Sequence, residues 1–219
     1  SATRSALWFL LAPRSLTWPG SRWAAAQARD PWVRKARAQG LPARSAFKLE
    51  EIIRRFKLLR TGQSVLELGS APGGWTRLAV RAVGRTGQVV GVDRLAMVPV
   101  PGATILIGDV CDAHDCTRVL EALGGPADVV LCDIAPNITG IRDVDEVNQA
   151  ELVAVASATA ARVLKPGGTF LVKIFEGEGS RVLRQRLQRE YATLKRLKPA
   201  ASRAHSSEFY LLAQGLKAR

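Results

Sequence analysis

The sequence predicts an α/β domain built on a mostly parallel sheet. Two observations carry this prediction. Short apolar runs rich in β-branched residues alternate with stretches of helical periodicity, and the connections between them are short. The last two apolar runs, near 192–197 and 207–213, have only a loop between them, which predicts an antiparallel hairpin at one edge of the sheet. We therefore expect a seven-stranded sheet with helices on both faces.

The predicted elements can be placed in chain order. A short helix within 30–44 should end at Gly40 and Pro42, and an amphipathic helix should follow from Ser45 to about Leu59. Further helices are predicted near 75–83, 115–123, 146–164 and 179–190. Strands are predicted near 64–68, 88–92, 103–107, 127–132, 168–174, 192–197 and 207–213.

Length and composition bound the class of protein. The chain has 219 residues, of which 47% are hydrophobic, enough for one ordinary domain and an extension. Its formal charge of +13 favours a polyanionic partner such as RNA, with an anionic membrane surface as the rival interpretation. The three cysteines lack CxxC spacing, so neither a disulfide framework nor a zinc site is predicted, no metal is expected, and a reducing compartment is favoured.

Residues 1–29 differ in composition from the rest of the chain. They contain Arg4, Arg14, Arg22 and Arg29 but no acidic residue. Such a basic, serine-containing segment is typical of an organelle transit peptide, and an arm that docks on RNA or on a partner is the alternative. The apolar run 6–12 is too short to span a bilayer. We therefore expect a basic leader over 1–29 and a single domain over 30–219.

A glycine-rich turn is the most informative stretch of the sequence. Residues 64–75, SVLELGSAPGGW, predict a strand, a tight turn and the start of a helix. The turn has neither the GxxxxGK[ST] nor the GxGxxG pattern, so a ligand without phosphates fits better. Asp93 and Asp109 end the next two strands, and acids after consecutive strands beside a glycine turn indicate a site for S-adenosyl-L-methionine.

An ordered set of motifs then points to one family. The segments E-L-G-S-A-P-G-G-W, G-V-D, I-G-D, L-C-D-I-A-P-N, L-K-P-G-G-T-F-L-V-K and S-S-E-F-Y follow one another over roughly 30–215. Together they resemble the FtsJ family of ribosomal RNA uridine 2′-O-methyltransferases. The resemblance implies a Rossmann-like S-adenosylmethionine-dependent methyltransferase fold with a seven-stranded, mostly parallel sheet.

The resemblance also implies a substrate and a place of action. Methyl transfer to a ribose 2′-hydroxyl of large-subunit ribosomal RNA is expected, within a large ribosomal subunit or its precursor. With a transit peptide, this would take place in the mitochondrial matrix; a cytoplasmic enzyme is the alternative. The family leaves open 2′-O-methylation of tRNA or an mRNA cap, and the fold leaves open a non-catalytic assembly factor that binds ribosomal RNA.

The family's lysine–aspartate–lysine–glutamate catalytic set falls on Lys48, Asp133, Lys173 and Glu208. Lys173 can remove the hydroxyl proton only as a neutral amine. Partial burial and the ammonium of Lys48 favour that form, whereas the two acids oppose it. The plain alternatives are a solvated surface position for Lys48, a strand end from which the amine reaches solvent for Lys173, and a solvated edge-strand position for Glu208.

The resemblance assigns the cofactor to the glycine turn and the strand ends. Asp93 is expected to accept the ribose hydroxyls, and Asp109 is expected to accept from the adenine amino group. Capping of the turn that follows Asp109 is the alternative for this residue. Trp75 should lie near the methionine moiety or pack in the core. The implied cofactor residues are Gly69, Ala71, Pro72, Gly73, Gly74, Trp75, Asp93, Asp109 and Asp133.

Two basic stretches, 34–44 and 181–203, are candidates for contact with RNA. The arginines of the predicted helix 179–190 are in part an ordinary solvated face. The preferred RNA-binding residues are Arg34, Lys35, Arg37, Arg44 and Arg203.

Overall fold

The computed structural model describes residues 30–134, 142–203 and 206–218. The predicted leader over 1–29 lies outside the described residues, as do Pro136 and Asn137 of the D-I-A-P-N motif. The division of the chain into leader and domain therefore stays a prediction. In the described part, no helix is long and apolar enough to cross a membrane.

Every predicted helix and strand is present, with boundaries that differ by a few residues. The helices are α1 (Pro31–Ala38), α2 (Ser45–Phe56), α3 (Gly74–Val83), α4 (Ala113–Leu123), α5 (Arg142–Val163) and α6 (Glu178–Glu190). The strands are β1 (Ser64–Leu68), β2 (Gln88–Asp93), β3 (Thr104–Ile107), β4 (Ala127–Cys132), β5 (Leu164–Phe175), β6 (Tyr191–Leu197) and β7 (Glu208–Leu216). The largest differences are at the start of β5 and of α5, both of which begin four residues earlier than predicted (164 against 168, 142 against 146).

The strands form one sheet in the order β3-β2-β1-β4-β5-β7-β6. The first five strands along the chain pair in parallel, which confirms the expected α/β class. The predicted antiparallel hairpin is also confirmed, because β7 pairs antiparallel with both β5 and β6. Its inner strand is β7, which follows all the others in the chain and inserts between two earlier strands.

Helices cover both faces of the sheet and divide its core in two. One face packs against α2 and α3, where Leu49, Ile52 and Leu78 meet apolar residues of β1, β4, β5 and β7. The other packs against α4, α5 and α6, with Val119, Ala156 and Leu187 against the same strands. The alternation of side chains along each strand thus decides which residues face α2.

Candidate active site

Strand alternation brings the predicted catalytic residues to the same side of the sheet. Leu131, Leu171 and Leu212 belong to the core cluster beneath α2 and α3. Because side chains two residues apart share a face, Asp133, Lys173 and Glu208 emerge on that side as well. The register supports this arrangement, since Cys132 pairs with Val172 and Lys173 with Tyr210. The expectation that these residues converge is thereby met.

Lys173 is held by Asp133 through two acceptors. Its Nζ lies 3.0 Å from Asp133 Oδ1 and donates to the Asp133 backbone carbonyl at 2.7 Å. The lysine is only 8% exposed, so the solvated alternative is wrong for it. Burial raises the pKa of the Asp133 carboxyl, and the ammonium groups of Lys173 and Lys48 oppose that rise. If the Lys173 amine is neutral, its two N–H groups can donate to these two Asp133 oxygens. Its lone pair then points away from both of them.

Lys48 belongs to the same site and is buried as well. It sits in the first turn of α2, is 5% exposed, and its Nζ forms a hydrogen-bonded ion pair with Glu208 Oε1. The Lys48 Nζ also lies 5.9 Å from the centroid of the Tyr210 ring. The plain alternatives of a surface lysine and a solvated edge-strand acid are therefore wrong for this pair.

Tyr210 is a site residue to which the sequence analysis assigned no role. Its hydroxyl lies 3.4 Å from Asp133 Oδ1, and its fully buried ring lies 5.8 Å from that of Trp75. Burial raises the pKa of the Tyr210 hydroxyl, and the charges of Asp133 and Glu208 raise it further. Tyr210 thus remains a neutral donor between the two lysine–carboxylate pairs. Its position two residues after Glu208 on one strand was the signal that could have identified it.

The glycine turn connects β1 to α3 as predicted. Gly69 and Gly73 have φ angles of +83° and +94°, which favour glycine. A Cβ on Gly69 would lie 2.9 Å from Ile134 Cγ1, and one on Gly73 would lie 2.7 Å from Met97 Cε. These glycines therefore let the 94–100 loop and the residue after Asp133 close onto the turn. Ala71, Pro72 and Gly74 complete the turn and the start of α3.

Asp93 and Asp109 stand at the carboxyl edge beside this turn. Asp93 accepts backbone hydrogen bonds from Leu95 at Oδ1 and from Ala71 at Oδ2, both 2.9 Å. Each carboxylate oxygen can accept a second bond, so Asp93 keeps acceptors for hydroxyl groups. Asp109 Oδ1 accepts from the Cys111 N–H at 2.9 Å, so the predicted turn-capping role is present too. Its side chain is 40% exposed and can still reach a ligand.

Two residues of the turn region are buried rather than open to a ligand. Trp75 is 2% exposed, packs in the core and donates from Nε1 to the Ser45 carbonyl at 2.9 Å, which supports its core-packing alternative. Glu67 on β1 is 1% exposed and accepts a 2.6 Å hydrogen bond from Thr76 Oγ1. Burial raises the pKa of Glu67 to about 8, so this carboxyl is protonated at neutral pH.

The predicted RNA-binding residues divide into exposed and engaged groups. Arg34 and Lys35 are exposed on α1, with Lys35 Nζ 4.8 Å from the centroid of the Phe47 ring. Arg44 is largely buried and pairs with Asp30, whereas Arg203 is 48% exposed. The Arg37 side chain lies outside the described residues.

The donor set beside the glycine turn suits S-adenosylmethionine. In a chain of charge +13, the carboxyl ends of β2 and β3 present Asp93 and Asp109, which complement a cationic ligand with ribose hydroxyls. Within the described ranges, no cluster of three or more His, Cys, Asp or Glu residues could hold a metal ion.

Comparison with known proteins identifies the family. The model of the FtsJ-like methyltransferase family matches residues 41–216. The chain belongs to this family. Among curated relatives, ribosomal RNA large subunit methyltransferase E of Rhodopseudomonas palustris is 46% identical over 198 residues, covering 89% of this chain and 84% of the relative. The enzyme of the same name from Acidithiobacillus ferrooxidans is 44% identical over 192 residues, covering 88% of each chain.

Solved structures agree on the fold. A crystal structure described as that of a ribosomal RNA methyltransferase from Plasmodium falciparum has a TM-score of 0.71 at 22% identity, covering 81% of this chain and 99% of that one. An S-adenosylmethionine-dependent O-methyltransferase from Thermotoga maritima has a TM-score of 0.53 at 13% identity, covering 78% and 66%. At these identities, the likeness supports the Rossmann-like methyltransferase fold alone. The matching family model and the curated relatives, rather than these structures, identify the chain as an RNA methyltransferase.

Proposed function

We propose that this chain transfers a methyl group from S-adenosyl-L-methionine to a ribose 2′-hydroxyl, that of a uridine, in large-subunit ribosomal RNA. The observation that carries the proposal is the pairing of two buried lysines with two carboxylates, Lys48 with Glu208 and Lys173 with Asp133, beside the glycine turn. The names of its relatives support ribosomal RNA as the substrate.

The residues of the site can perform this transfer without a metal. When bound, S-adenosylmethionine supplies an electrophilic methyl group on sulfur. Lys173 accepts the proton that the 2′-hydroxyl loses during attack, and general-base action of this kind accelerates reactions by about 10²–10⁴-fold. Asp133 orients the Lys173 amine, while Lys48 and Glu208 hold the hydroxyl in line.

The cofactor would be held on the other side of Asp133. The proposed contacts are Asp93 with the cofactor ribose, Asp109 with the adenine amino group, and the 69–75 turn with the methionine moiety. Trp75 would act there through the packing of the turn, because its ring is already buried.

The function is tested with purified protein and large ribosomal subunits from cells that lack it. Incubation with S-adenosylmethionine should restore one 2′-O-methyl group, which reverse-transcription mapping of the RNA locates. Methyl transfer to tRNA or capped mRNA, and not to ribosomal RNA, would contradict the proposed substrate. If a Lys173→Ala variant restored ribosome assembly in these cells, the non-catalytic assembly factor would be favoured.

We also propose that the protein acts in the mitochondrial matrix, on the composition of residues 1–29. Residues 1–29, preceded by an initiating Met and fused to a fluorescent protein, should enter mitochondria. A diffuse cytosolic signal would leave the cytoplasm as the site of action.

A further inference from the structure

Two arginines far apart in the sequence meet on one carboxylate beside the catalytic site. Arg44 donates from Nη1 to Asp30 Oδ2, and Arg203 Nε lies 4.0 Å from the same oxygen. The Asp30 side chain is 11% exposed and that of Arg203 48%. A single anionic oxygen atom therefore occupies the space between two guanidinium groups, one of which still faces solvent.

Asp30 is held there by the start of α1. Its Oδ1 accepts from the Trp32 N–H at 2.9 Å, so the residue caps that helix while its other oxygen faces the arginines. Burial tends to raise the pKa of Asp30, but the Trp32 N–H and the Arg44 charge outweigh it and leave the pKa lowered. The residue is thus a carboxylate at neutral pH.

This arginine pair adjoins the catalytic residues on both chain segments. Arg44 immediately precedes α2, whose first turn carries Lys48. Arg203 lies five residues before Glu208 in the β6–β7 connection (208 minus 203). The Arg44 charge also lowers the pKa of the Tyr210 hydroxyl, against the larger opposing effect of burial. An anion between the two arginines would thus lie at the rim of the site.

We infer that Arg44 and Arg203 form a subsite for one RNA phosphodiester and that Asp30 occupies it in the free protein as an internal competitor. The inference rests on the proposed function, because a ribose held at Lys173 carries phosphodiesters on both sides. Guanidinium groups bind phosphate oxygens as they bind carboxylates. RNA that enters the site therefore displaces the Asp30 carboxylate from the two arginines. An RNA that binds too weakly to displace Asp30 is excluded from this subsite.

The test is the affinity for a fluorescein-labelled single-stranded RNA of about 12 nucleotides, measured by anisotropy over a range of salt concentrations. Asp30→Asn should tighten binding about five-fold, since the carboxylate charge that competes with the phosphate for Arg44 and Arg203 is removed. Asparagine still caps α1, so the melting temperature should stay close to that of the wild type.

The matched control is Asp128→Asn. Asp128 also accepts a backbone N–H, from Ser64, and also pairs with a cation, Lys165, but it lies near the amino end of β4, at the opposite end of that strand from Asp133. The Asp128→Asn variant removes one negative charge, as Asp30→Asn does, and should change RNA affinity less than two-fold. An equal gain from both variants would make the effect one of net charge and overturn the subsite.

The arginines supply the second arm of the test. Arg44→Ala with Arg203→Ala should lower the slope of log affinity against log salt by about 0.7, the value for one phosphate contact on a single strand, and should abolish the gain from Asp30→Asn. Arg186→Ala, whose arginine pairs with Glu190 at the end of α6, should leave the slope unchanged.

The opposite outcomes are equally clear. Weaker RNA binding by Asp30→Asn would overturn the competitor role and make Asp30 a residue that positions Arg44. Because this assay measures binding alone, a wild-type protein that transfers no methyl group would refute the proposed function while the RNA gain of Asp30→Asn still supported the subsite.

Discussion

The proposed cofactor half and the proposed catalytic half of the site are built in different ways. In the cofactor half, Asp93 and Asp109 accept hydrogen bonds from backbone groups close in the chain, Leu95 and Cys111. In the catalytic half, Lys48 meets Glu208 across 160 residues, and Lys173 meets Asp133 across 40. The first half needs only the consecutive strands β1, β2 and β3, whereas the second also needs α2 and the last strand, β7.

This difference predicts that the two halves fail in different ways. Variants of the catalytic half should lose rate or stability while cofactor affinity persists, and variants of the cofactor half should lose affinity first. The following substitutions test this difference, in order of decreasing expected effect.

Lys173→Arg should reduce methyl transfer by about 10²–10⁴-fold, because a guanidinium cannot accept the hydroxyl proton at any relevant pH. Affinity for S-adenosylmethionine, measured by calorimetry, should stay within about two-fold of the wild type, since Asp93 and Asp109 are untouched. A rate within about tenfold of the wild type would mean that charge matters more than the proton, and Asp133 would become the candidate base.

Lys48→Ala or Glu208→Ala should each cost about 3–5 kcal/mol of unfolding free energy, because each leaves a buried partner charge uncompensated. The side chains of this pair are 6% and 13% exposed. Urea unfolding of the single and double variants measures the coupling.

The control for this cycle is the Lys165–Asp128 pair, whose lysine is 49% exposed. Its coupling should be about 0–1 kcal/mol. Equal coupling in the two pairs would show that Lys48 and Glu208 are not desolvated in solution.

Glu67→Gln should make stability less dependent on pH. The pKa of Glu67 rises from 4.5 to about 8 on folding, so its favourable effect is complete below 4.5 and is lost as pH rises through 8. The wild type should therefore lose stability relative to Glu67→Gln between these values, by at most about 1.4 kcal/mol per pH unit. Thermal melts at pH 6 and pH 9 measure this, and parallel curves would contradict a buried neutral carboxyl.

Asp93→Ala should weaken S-adenosylmethionine binding about 10–100-fold, because a charged acceptor for two hydroxyls is lost. The 69–73 turn also loses the Asp93 contact with the Ala71 N–H. Calorimetry with the wild type as reference measures the change; unaltered affinity would remove Asp93 from the cofactor site.

Tyr210→Phe should lower the transfer rate only about 2–10-fold, since its hydroxyl lies 3.4 Å from Asp133 and one neutral hydrogen bond is at stake. Single-turnover rates at saturating cofactor give the value. A loss approaching that of Lys173→Arg would make Tyr210 a catalytic residue.

The contrast also explains how much could be predicted from sequence. The glycine turn and the strand-end acids Asp93 and Asp109 are adjacent to recognisable strands, so periodicity and turn chemistry located them. The partnership of Lys48 with Glu208 could be expected only from the family resemblance, because no local pattern links α2 to the last strand. Core packing of Trp75 was one of its two predicted positions, whereas the burial of Glu67 was not predictable, since it depends on how α3 packs against β1.

The Asp30 contact illustrates the remaining gap. From the sequence, Arg44 and Arg203 were expected to be free to bind RNA. Their shared contact with Asp30 depends on the packing of α1 against the β6–β7 connection, which the sequence does not show. Charge counts alone do not show which cations are already engaged.

The place of β7 in the sheet bears on the order in which the contacts of the site can form during synthesis. This strand supplies Glu208 and Tyr210 and lies between β5 and β6, both of which are translated before it. A nascent chain that lacks residues 208–216 can already carry the whole glycine turn, yet Lys48 lacks its counter-charge and β5 lacks its inner neighbour. Because a chain is synthesised from its amino end, the Lys48–Glu208 pair and the β5–β7 pairing can form only after strands β1 to β6 have been made.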